Sequence, residues 1–289
     1  KIDIGAAVGI ESMSNAPYLL MDARKGYRLN DGETVRDSLM LGGLICPFEG
    51  YHMGVTAENI AELYHITREQ QDEYALLSHQ RACKAIADGL FTDEIIPVEI
   101  KTRKGPRIFD TDEHPNPDAN LEMAARLKPA FKKDGTVTAF NASSLNDGAA
   151  AVILMSAEKA KKAGLKPLAR VAASASGSVE PRIMGMGPVP ASLRALKFAG
   201  LTLHDIDYWE LNEAFAAQAL ACMQELSIPV DRCNAVGSGI SLGHPVGMTG
   251  ARIILAAINE LKRRGGRYAC STMCASGGPA CAFIIENIS

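Results

Sequence analysis

The chain has 289 residues, of which 47% are hydrophobic and 22% charged, with a formal net charge of −3 and a pI near 6.1. These values are typical of a folded protein with a substantial core, in one large domain or two ordinary ones. They exclude a general nucleic-acid or membrane-surface binder, and no apolar run approaches the ~18–20 residues that cross a bilayer. Seven cysteines, an odd number, indicate reduced thiols rather than a disulfide framework.

The first predicted element is a short apolar strand, "IDIGAAVGI", over residues 2–10. Because this strand starts almost at Lys1, we expect the chain to continue a longer one. From Glu11 to about Pro47, glycines and polar residues predict a loop with short elements.

Two helices and a hairpin are predicted next. Thr56 can cap a helix over "AENIAELYH", and Thr67 with Gln70 forms a capping box for a helix over 67–90. A strand is predicted over 94–101, followed by the basic run "KTRKGPR" at 101–107 and the acidic "DTDE". This alternation predicts a solvated hairpin, and a phosphate contact is the alternative.

After Asn146, strands and helices alternate, which predicts a layered α/β architecture. The predicted strands are 149–156, 168–176, 206–211, 267–273 and 280–286, and the predicted helices are 157–164, 190–200, 213–226 and 250–264. The last helix should lie on a sheet through one apolar face, formed by Ala251, Ile254, Ile258 and Leu261. A small-residue turn followed by an apolar strand occurs at 141–155 and again at 274–286, as a duplicated half-domain would produce.

Three polar groups stand at strand ends or on turns, where layered α/β proteins present functional groups. Asn212 follows the strand 206–211, His244 lies in the glycine-rich "ISLGHPVGMTG", and Cys274 begins a Gly-Gly turn in "CASGG". Each has a purely structural alternative. Asn212 can be a helix N-cap, His244 a hydrogen-bonded turn residue, and Cys274 an inert buried thiol.

Two other kinds of site fit the sequence less well. Cys270 and Cys274 have no second ligand pair at zinc-site spacing, so we reject a metal centre. The stretch "GSGISLG" (237–243) lacks the G-x-G-x-x-G spacing of a dinucleotide loop, and a nicotinamide-dependent oxidoreductase remains only as an alternative.

The motifs "LNEAF", "NAVGSGISLGHPVGMTGAR" and "CASGG", in this order, closely resemble those of the thiolase family, and the similarity spans essentially the whole chain. The resemblance implies an α/β thiolase fold, layered αβαβα, with two similar halves and a loop domain inserted in the first. It places a remnant of the N-terminal half at 1–16 and 146–166, a CoA-binding loop domain at 17–145, and the C-terminal half at 167–289. The first half would then be incomplete in this chain.

The resemblance also implies an acyl-CoA acyltransferase that carries out reversible Claisen condensation and thiolysis of 3-ketoacyl-CoA, of the acetoacetyl-CoA type. Coenzyme A and acyl-CoA would be substrates, with no permanently bound cofactor. His244 would activate a nucleophilic cysteine and donate to a thioester oxygen, and Asn212 would hold a water in that oxyanion hole. Cys274 would be the acid–base cysteine, and the backbone N–H near Ser276 would serve a second oxyanion hole. The implied CoA-binding residues are His52, Met53, Phe131 and Ser143.

The sequence departs from the family pattern in three places. No position matches the family's nucleophile, so we expect that cysteine on an N-terminal thiolase segment outside this chain, and not at Cys46 or Cys83. Ser276 stands where thiolases usually have glycine, which requires a negative φ. Asn116 stands where an arginine often contacts the nucleotide phosphate, and the basic run 101–107 is the alternative phosphate contact.

The expected partners are acyl-CoA thioesters and further copies of the chain, in a homodimer or homotetramer, with no nucleic acid and no membrane. We expect the cytoplasm as location and leave mitochondria and peroxisomes open. The competing interpretation is a catalytically inactive CoA-binding or assembly remnant of a thiolase.

Overall fold

The computed structural model describes residues 3–29, 32 and 34–288, which form an α/β protein. Lys1 and Ile2, at the start of the first predicted strand and domain, lie outside the described residues, as does Ser289. The strands are β1 (Ile4–Ser12), β2 (Tyr18–Leu20), β3 (Val35–Asp37), β4 (Val98–Thr102), β5 (Gly105–Phe109), β6 (Asp147–Met155), β7 (Ala169–Ser178), β8 (Tyr208–Leu211), β9 (Tyr268–Cys274) and β10 (Pro279–Asn287). The helices are α1 (Met53–Leu63), α2 (Arg68–Ala87), α3 (Leu121–Ala125), α4 (Ala157–Lys162), α5 (Pro188–Ala199), α6 (Ala216–Glu225), α7 (Gly239–Leu242) and α8 (Thr249–Arg264). Among the described residues, no helix is long and apolar enough to span a membrane.

A four-stranded sheet in the order β7-β10-β9-β8 is the centre of the molecule. Strand β10 is antiparallel to both of its neighbours, and β8 is parallel to β9. Because side chains alternate along a strand, Trp209 and Cys270 face one core cluster, which includes α5 and α6. Tyr208 and Ala269 face the other, where Leu261 of α8 packs. Helical layers therefore cover both faces of this sheet.

Strands β1 and β6 form a separate antiparallel sheet on the other side of α8. This sheet approaches the segment before α8 so closely that glycine is required at two positions. A Cβ on Gly9 would lie 2.6 Å from the Gly247 carbonyl oxygen, and one on Gly148 would lie 2.7 Å from Met248. Helix α8 thus occupies a layer between two sheets, and the segment that carries His244 rests against β1 and β6.

The face of the β1–β6 sheet that points away from α8 is apolar and exposed. Ile4, Val8 and Ile10 are 53%, 58% and 69% exposed, and Ile153, which pairs opposite Ala6 on the same face, is 64% exposed. A contiguous apolar surface of this kind usually marks an interaction site.

Helices α1 and α2 pack on α6, and α2 also packs on α7, next to the strand ends of the large sheet. Buried Glu58 of α1 accepts hydrogen bonds from the backbone N–H groups of Thr136 and Val137. Asp72 of α2 accepts one from the Asn141 side chain at 2.8 Å. Through these bonds α1 and α2 hold the segment of residues 136–141.

Most predicted elements are present, with shifted ends. The capping box of Thr67 and Gln70 is confirmed, and the predicted hairpin is β4–β5, although its first strand begins at Val98 rather than residue 94. The prediction that Thr56 caps a helix is wrong. Helix α1 begins four residues earlier, at Met53, because His52 is its N-cap and accepts from the Gly54 N–H at 2.9 Å.

The predicted apolar face of α8 is confirmed in part, because Ile254, Ile258 and Leu261 pack against residues of β8, β9 and β10. Of its four residues only Leu261 is fully buried, whereas Ile253, Ala256 and Ala257 are buried as well. Because α8 also packs against β1 and β6, its buried surface is wider than the one predicted face.

Candidate active site

Asn212 lies just beyond β8 and is completely buried. The interpretation that it caps the next helix is wrong, because α6 begins only at Ala216, whose N–H donates to the Asn141 carbonyl at 2.8 Å. The Asn212 side chain is therefore free to face the site. Its Nδ2 lies 3.4 Å from Nε2 of His244, and its buried Oδ1 has no hydrogen-bond partner within residues 34–288.

The His244 ring is held in one tautomer by Thr249. Nδ1 lies 2.7 Å from the Thr249 hydroxyl, which donates its own hydrogen to the Pro245 carbonyl at 3.0 Å. The hydroxyl must therefore accept from Nδ1–H, which leaves Nε2 unprotonated on the Asn212 side. Burial, with a smaller effect of the Arg252 charge, lowers the pKa of His244 to about 4. At neutral pH the ring is a neutral base.

The bend before this ring is fixed by Asn146. The Asn146 Oδ1 accepts from the His244 backbone N–H at 3.2 Å and from the Ser144 hydroxyl at 2.6 Å. Gly243 has φ +92°, and a Cβ there would collide with the Asn146 amide. Glycine is thus needed on this bend for its conformation and for its closeness to Asn146.

Cys274 is the last residue of β9 and is buried. Burial raises the pKa of its thiol to about 12, so the sulfur is protonated at neutral pH. The turn that follows is closed by the Ala275 N–H donating to the Pro279 carbonyl at 2.8 Å, and Gly277 and Gly278 have φ values of +85° and +104°. Ser276 is not among the residues with positive φ, so the condition for a side chain at that position is met.

Backbone and apolar contacts bring the three predicted catalytic residues to one region. The Asn212 N–H donates to the carbonyl of Thr272, two residues before Cys274, while the Asn212 side chain faces His244. Cys274 also shares an apolar cluster with Phe215, three residues after Asn212.

Three of the predicted CoA-binding residues line this same cluster. The rings of His52 and Phe131 are stacked, with centroids 4.5 Å apart and an interplanar angle of 19°. Phe131 meets Phe215 edge-on at 6.1 Å, and Met53 is buried beside them. Burial lowers the pKa of His52, so this wall is neutral and aromatic.

Ser143 and Asn116 differ in their surroundings. Ser143 lies beside the "LNEAF" turn, and its N–H donates to the Ala214 carbonyl at 3.0 Å. The Asn116 side chain accepts from the Asp118 N–H at 3.0 Å, so it stabilises its own turn. The basic residues of the β4–β5 hairpin are exposed.

Three residues of the site were missed in the sequence. Thr249 could have been suggested by its position five residues after His244 on the same bend. Phe215 lies within "LNEAF", but an apolar residue in a predicted helix gives no signal that distinguishes it from a core residue. Asn146 has no local signal at all, because its contact with His244 spans 98 positions along the chain.

Comparisons with known proteins identify the family of the chain. A family model described as the thiolase N-terminal domain matches residues 1–158, and one described as the thiolase C-terminal domain matches 165–287. Acetyl-CoA acetyltransferase of Syntrophomonas wolfei is 50% identical over 99% of this chain and 73% of its own length. Beta-ketothiolase BktB of Cupriavidus necator is 53% identical over 99% of this chain and 72% of its own length. Human mitochondrial 3-ketoacyl-CoA thiolase in complex with CoA superposes with a TM-score of 0.95 at 44% identity, covering 99% of this chain and 71% of that one.

Since both domain models are matched, these comparisons do not support the expectation of an incomplete first half, which stays a prediction. The predicted α/β thiolase fold is confirmed by the structural superposition. With two family models covering most of its length and relatives at about 50% identity, the chain belongs to the thiolase family.

Proposed function

We propose that this thiolase catalyses reversible Claisen condensation and thiolysis of 3-ketoacyl-CoA, of the acetoacetyl-CoA type. As a thiolase it uses coenzyme A thioesters as substrates and no resident cofactor. The observation that carries the proposal is the contact of Asn212 Nδ2 with an unprotonated His244 Nε2, beside the apolar cluster that holds Cys274. His52, Met53, Phe131 and Ser143 are the proposed contacts for CoA.

In thiolysis, Nε2 of His244 takes the proton from a nucleophilic thiol, whose sulfur then adds to the keto carbon of the substrate. The bond between the keto carbon and the α-carbon breaks, and its electron pair leaves on the acetyl-CoA fragment. The Cys274 thiol gives its proton to that carbon. The sulfur of a new CoA then takes the acyl group: the CoA thiol proton goes to the Cys274 thiolate, the bond between the acyl carbon and the nucleophile breaks, and the His244 imidazolium returns its proton to the nucleophile's sulfur. Condensation is the reverse sequence.

The electrostatics of the site suit these roles. A neutral His244 can accept the thiol proton and then, as imidazolium, donate to a thioester oxygen. The raised pKa of Cys274 keeps its proton available for the carbanion. The buried Asn212 Oδ1, which has no partner in the described chain, can accept from a water that donates its second hydrogen to the same thioester oxygen. The turn at Ser276 would supply a backbone donor to the second oxyanion hole.

We further propose that residues 17–145 are the loop domain, inserted between 1–16 and 146–166 of the first half, with 167–289 as the second half. The packing of α1 and α2 on α6, and of α2 on α7, supports this division. The exposed basic hairpin β4–β5 is the proposed contact for a CoA phosphate, since the Asn116 side chain is occupied in its own turn.

The nucleophile is proposed to lie on a second thiolase segment outside this chain. Cys222 and Cys270 are completely buried in the large core, and burial raises the pKa of both thiols. Cys46 shares the apolar cluster with Cys274, so it is the alternative candidate for the nucleophile within this chain. The exposed apolar face of the β1–β6 sheet offers the second segment a surface to cover.

Homo-oligomerisation is proposed from the arm around the β2–β3 hairpin, where Tyr18 is 70% exposed, Met21 60% and Val35 56%.

Seven free cysteines favour a reducing compartment, for which we propose the cytoplasm.

The test compares the purified chain with the chain co-expressed with the nucleophile-bearing segment of a relative. We expect both preparations to bind CoA, but only the second to cleave acetoacetyl-CoA with ping-pong kinetics. Cys274→Ala and His244→Ala should each lower that kcat by at least about 10³-fold, as losses of acid–base groups in other enzymes do.

Peptide mass spectrometry after incubation with acetoacetyl-CoA locates the acylated cysteine. Acylation of Cys46 in the chain alone, abolished by Cys46→Ala, contradicts an external nucleophile. CoA binding without turnover in either preparation supports the inactive remnant instead.

A further inference from the structure

Glu213 is the residue next to Asn212, and its carboxylate is almost completely buried, with 1% of the residue exposed. It does not face the apolar cluster of the site. It instead accepts hydrogen bonds from three separate parts of the chain, which together with it form what we call the Glu213 network.

Each carboxylate oxygen in the network has two donors. Oε1 accepts from the Tyr74 hydroxyl at 3.1 Å and from the Asn234 amide at 3.0 Å. Oε2 accepts from the Ser78 hydroxyl at 2.6 Å and from the Ile240 backbone N–H at 3.3 Å. All four donors are neutral, so the carboxylate is held by hydrogen bonds rather than by a cation.

These donors lie on elements that surround the proposed catalytic residues. Tyr74 and Ser78 belong to α2, and Ile240 lies in α7, four residues before His244. Asn234 also accepts from the Leu211 N–H at 2.9 Å and donates to the Leu211 carbonyl at 2.7 Å, which fixes the end of β8. One carboxylate therefore joins the Asn212 turn, the His244 bend and α2.

The turn at Asn212 and Glu213 is also in close contact with Gly239, in the segment before His244. A Cβ on Gly239 would lie 2.6 Å from the Glu213 carbonyl oxygen and 2.8 Å from Oδ1 of Asn212. With their backbones this close, a shift of the Glu213 side chain must move one turn against the other.

We propose that Glu213 is a positioning residue, whose buried carboxylate sets the separation between the Asn212 amide and the His244 imidazole and couples both to α2. The proposal rests on the proposed function, because that separation matters only if these two groups act on a common substrate. A misplacement of about 1 Å can cost roughly 10²-fold in rate, even from a residue that never touches the substrate.

Glu213→Gln is the sharpest variant, because the amide keeps the shape of the carboxylate but turns one acceptor into a donor. Its NH₂ group would face either the Ile240 N–H or the Asn234 NH₂ group, and neither can accept. Ser78→Ala removes only the donor from α2 and tests the coupling to that helix. Glu58→Gln is the matched control, since Glu58 is an equally buried acceptor of backbone N–H groups from Thr136 and Val137.

We would measure kcat and KM of the active assembly, the CoA Kd of the chain, and the His244 ring resonance, assigned among six histidines by its loss in His244→Asn. For Glu213→Gln we expect kcat to fall about 10- to 100-fold, with KM and the CoA Kd within about threefold and the His244 resonance shifted. Ser78→Ala should change the same quantities in the same direction by a smaller factor, and Glu58→Gln should leave kcat and the resonance unchanged.

Unchanged kcat and resonance in Glu213→Gln, a rise in KM or Kd without a loss of kcat, or an equal kcat loss in Glu58→Gln would each overturn the proposal. If Glu213→Gln does not fold, the same criteria apply to Ser78→Ala. A wild-type assembly without turnover refutes the proposed function instead, and the His244 resonance then decides about Glu213 alone.

Discussion

At the scale of single residues, the site depends on a short chain of hydrogen bonds that runs from the Pro245 carbonyl through Thr249 and His244 to Asn212. The Thr249 hydroxyl has a single hydrogen and donates it to the Pro245 carbonyl. It can therefore act only as an acceptor toward the His244 ring, which fixes donor and acceptor along the whole chain of bonds. Sequence motifs identify His244 and Asn212 as candidates. They cannot give the tautomer of the ring, which depends on the direction of these hydrogen bonds in three dimensions.

Thr249→Val should therefore lower activity without removing a catalytic group. Valine has the same shape but cannot accept from Nδ1–H, so the ring can lose its proton from Nδ1 and carry it on Nε2 instead. We expect kcat to fall about tenfold, the order of one hydrogen bond in free energy, with the CoA Kd unchanged. Nitrogen-15 NMR of the ring reads the tautomer directly.

Thr249→Ser is the control for this prediction, because it keeps the hydroxyl and should retain both the tautomer and kcat. A Thr249→Val enzyme with a normal rate and an unprotonated Nε2 would show that Thr249 is not needed.

At the scale of elements, the start of α1 forms the wall that we propose binds CoA. His52 caps the helix through Nδ1 and stacks on Phe131, whose ring lies directly on Gly54 in the first turn. The sequence motif "YHMG" marks this place. The sequence does not mark His52 as a helix start, because threonine is a better N-cap than histidine and Thr56 follows four residues later.

Gly54→Ala should weaken CoA binding, because the added Cβ would collide with the Phe131 ring and push it off the wall. We expect the CoA Kd, measured by calorimetry, to rise about tenfold, the order of one lost aromatic contact. Thermal unfolding should change little, since Phe131 is only partly buried.

Gly42→Ala serves as the comparison, because nothing lies within 4 Å of a Cβ there and its φ is negative. An unchanged Kd in Gly54→Ala would indicate that the position of Phe131 does not matter for CoA.

At the scale of the whole molecule, the order of strands and helices and the family could be predicted from sequence, since periodicity and motifs are local. The placement of α8 between two sheets could not, so the predicted contact face covers only part of the buried surface of the helix. The Asn146–His244 contact and the Glu213 network join residues far apart along the chain, so no window of sequence contains them.

The exposed face of the β1–β6 sheet leads to a prediction about assembly. If a second polypeptide covers it, Val8→Asn and Ile153→Asn should each reduce the amount of that polypeptide that copurifies with the chain. Mass spectrometry would detect it as a product of about a hundred residues, the part of the Syntrophomonas relative that the match does not cover.

Ile96→Asn is the matched control, because Ile96 is 83% exposed and lies outside this face. Equal recovery of the second polypeptide with all three variants would place its contact elsewhere.

Gly9 of β1 and Gly148 of β6 lie directly against Gly247 and Met248, so the β1–β6 sheet supports the bend that carries the His244 imidazole. A methyl group added at either glycine would collide with the bend that carries His244 and displace it. At these two positions the cost of a substitution therefore comes from the lack of space against the neighbouring backbone. Engineering of its specificity should leave Gly9 and Gly148 untouched even when they seem remote.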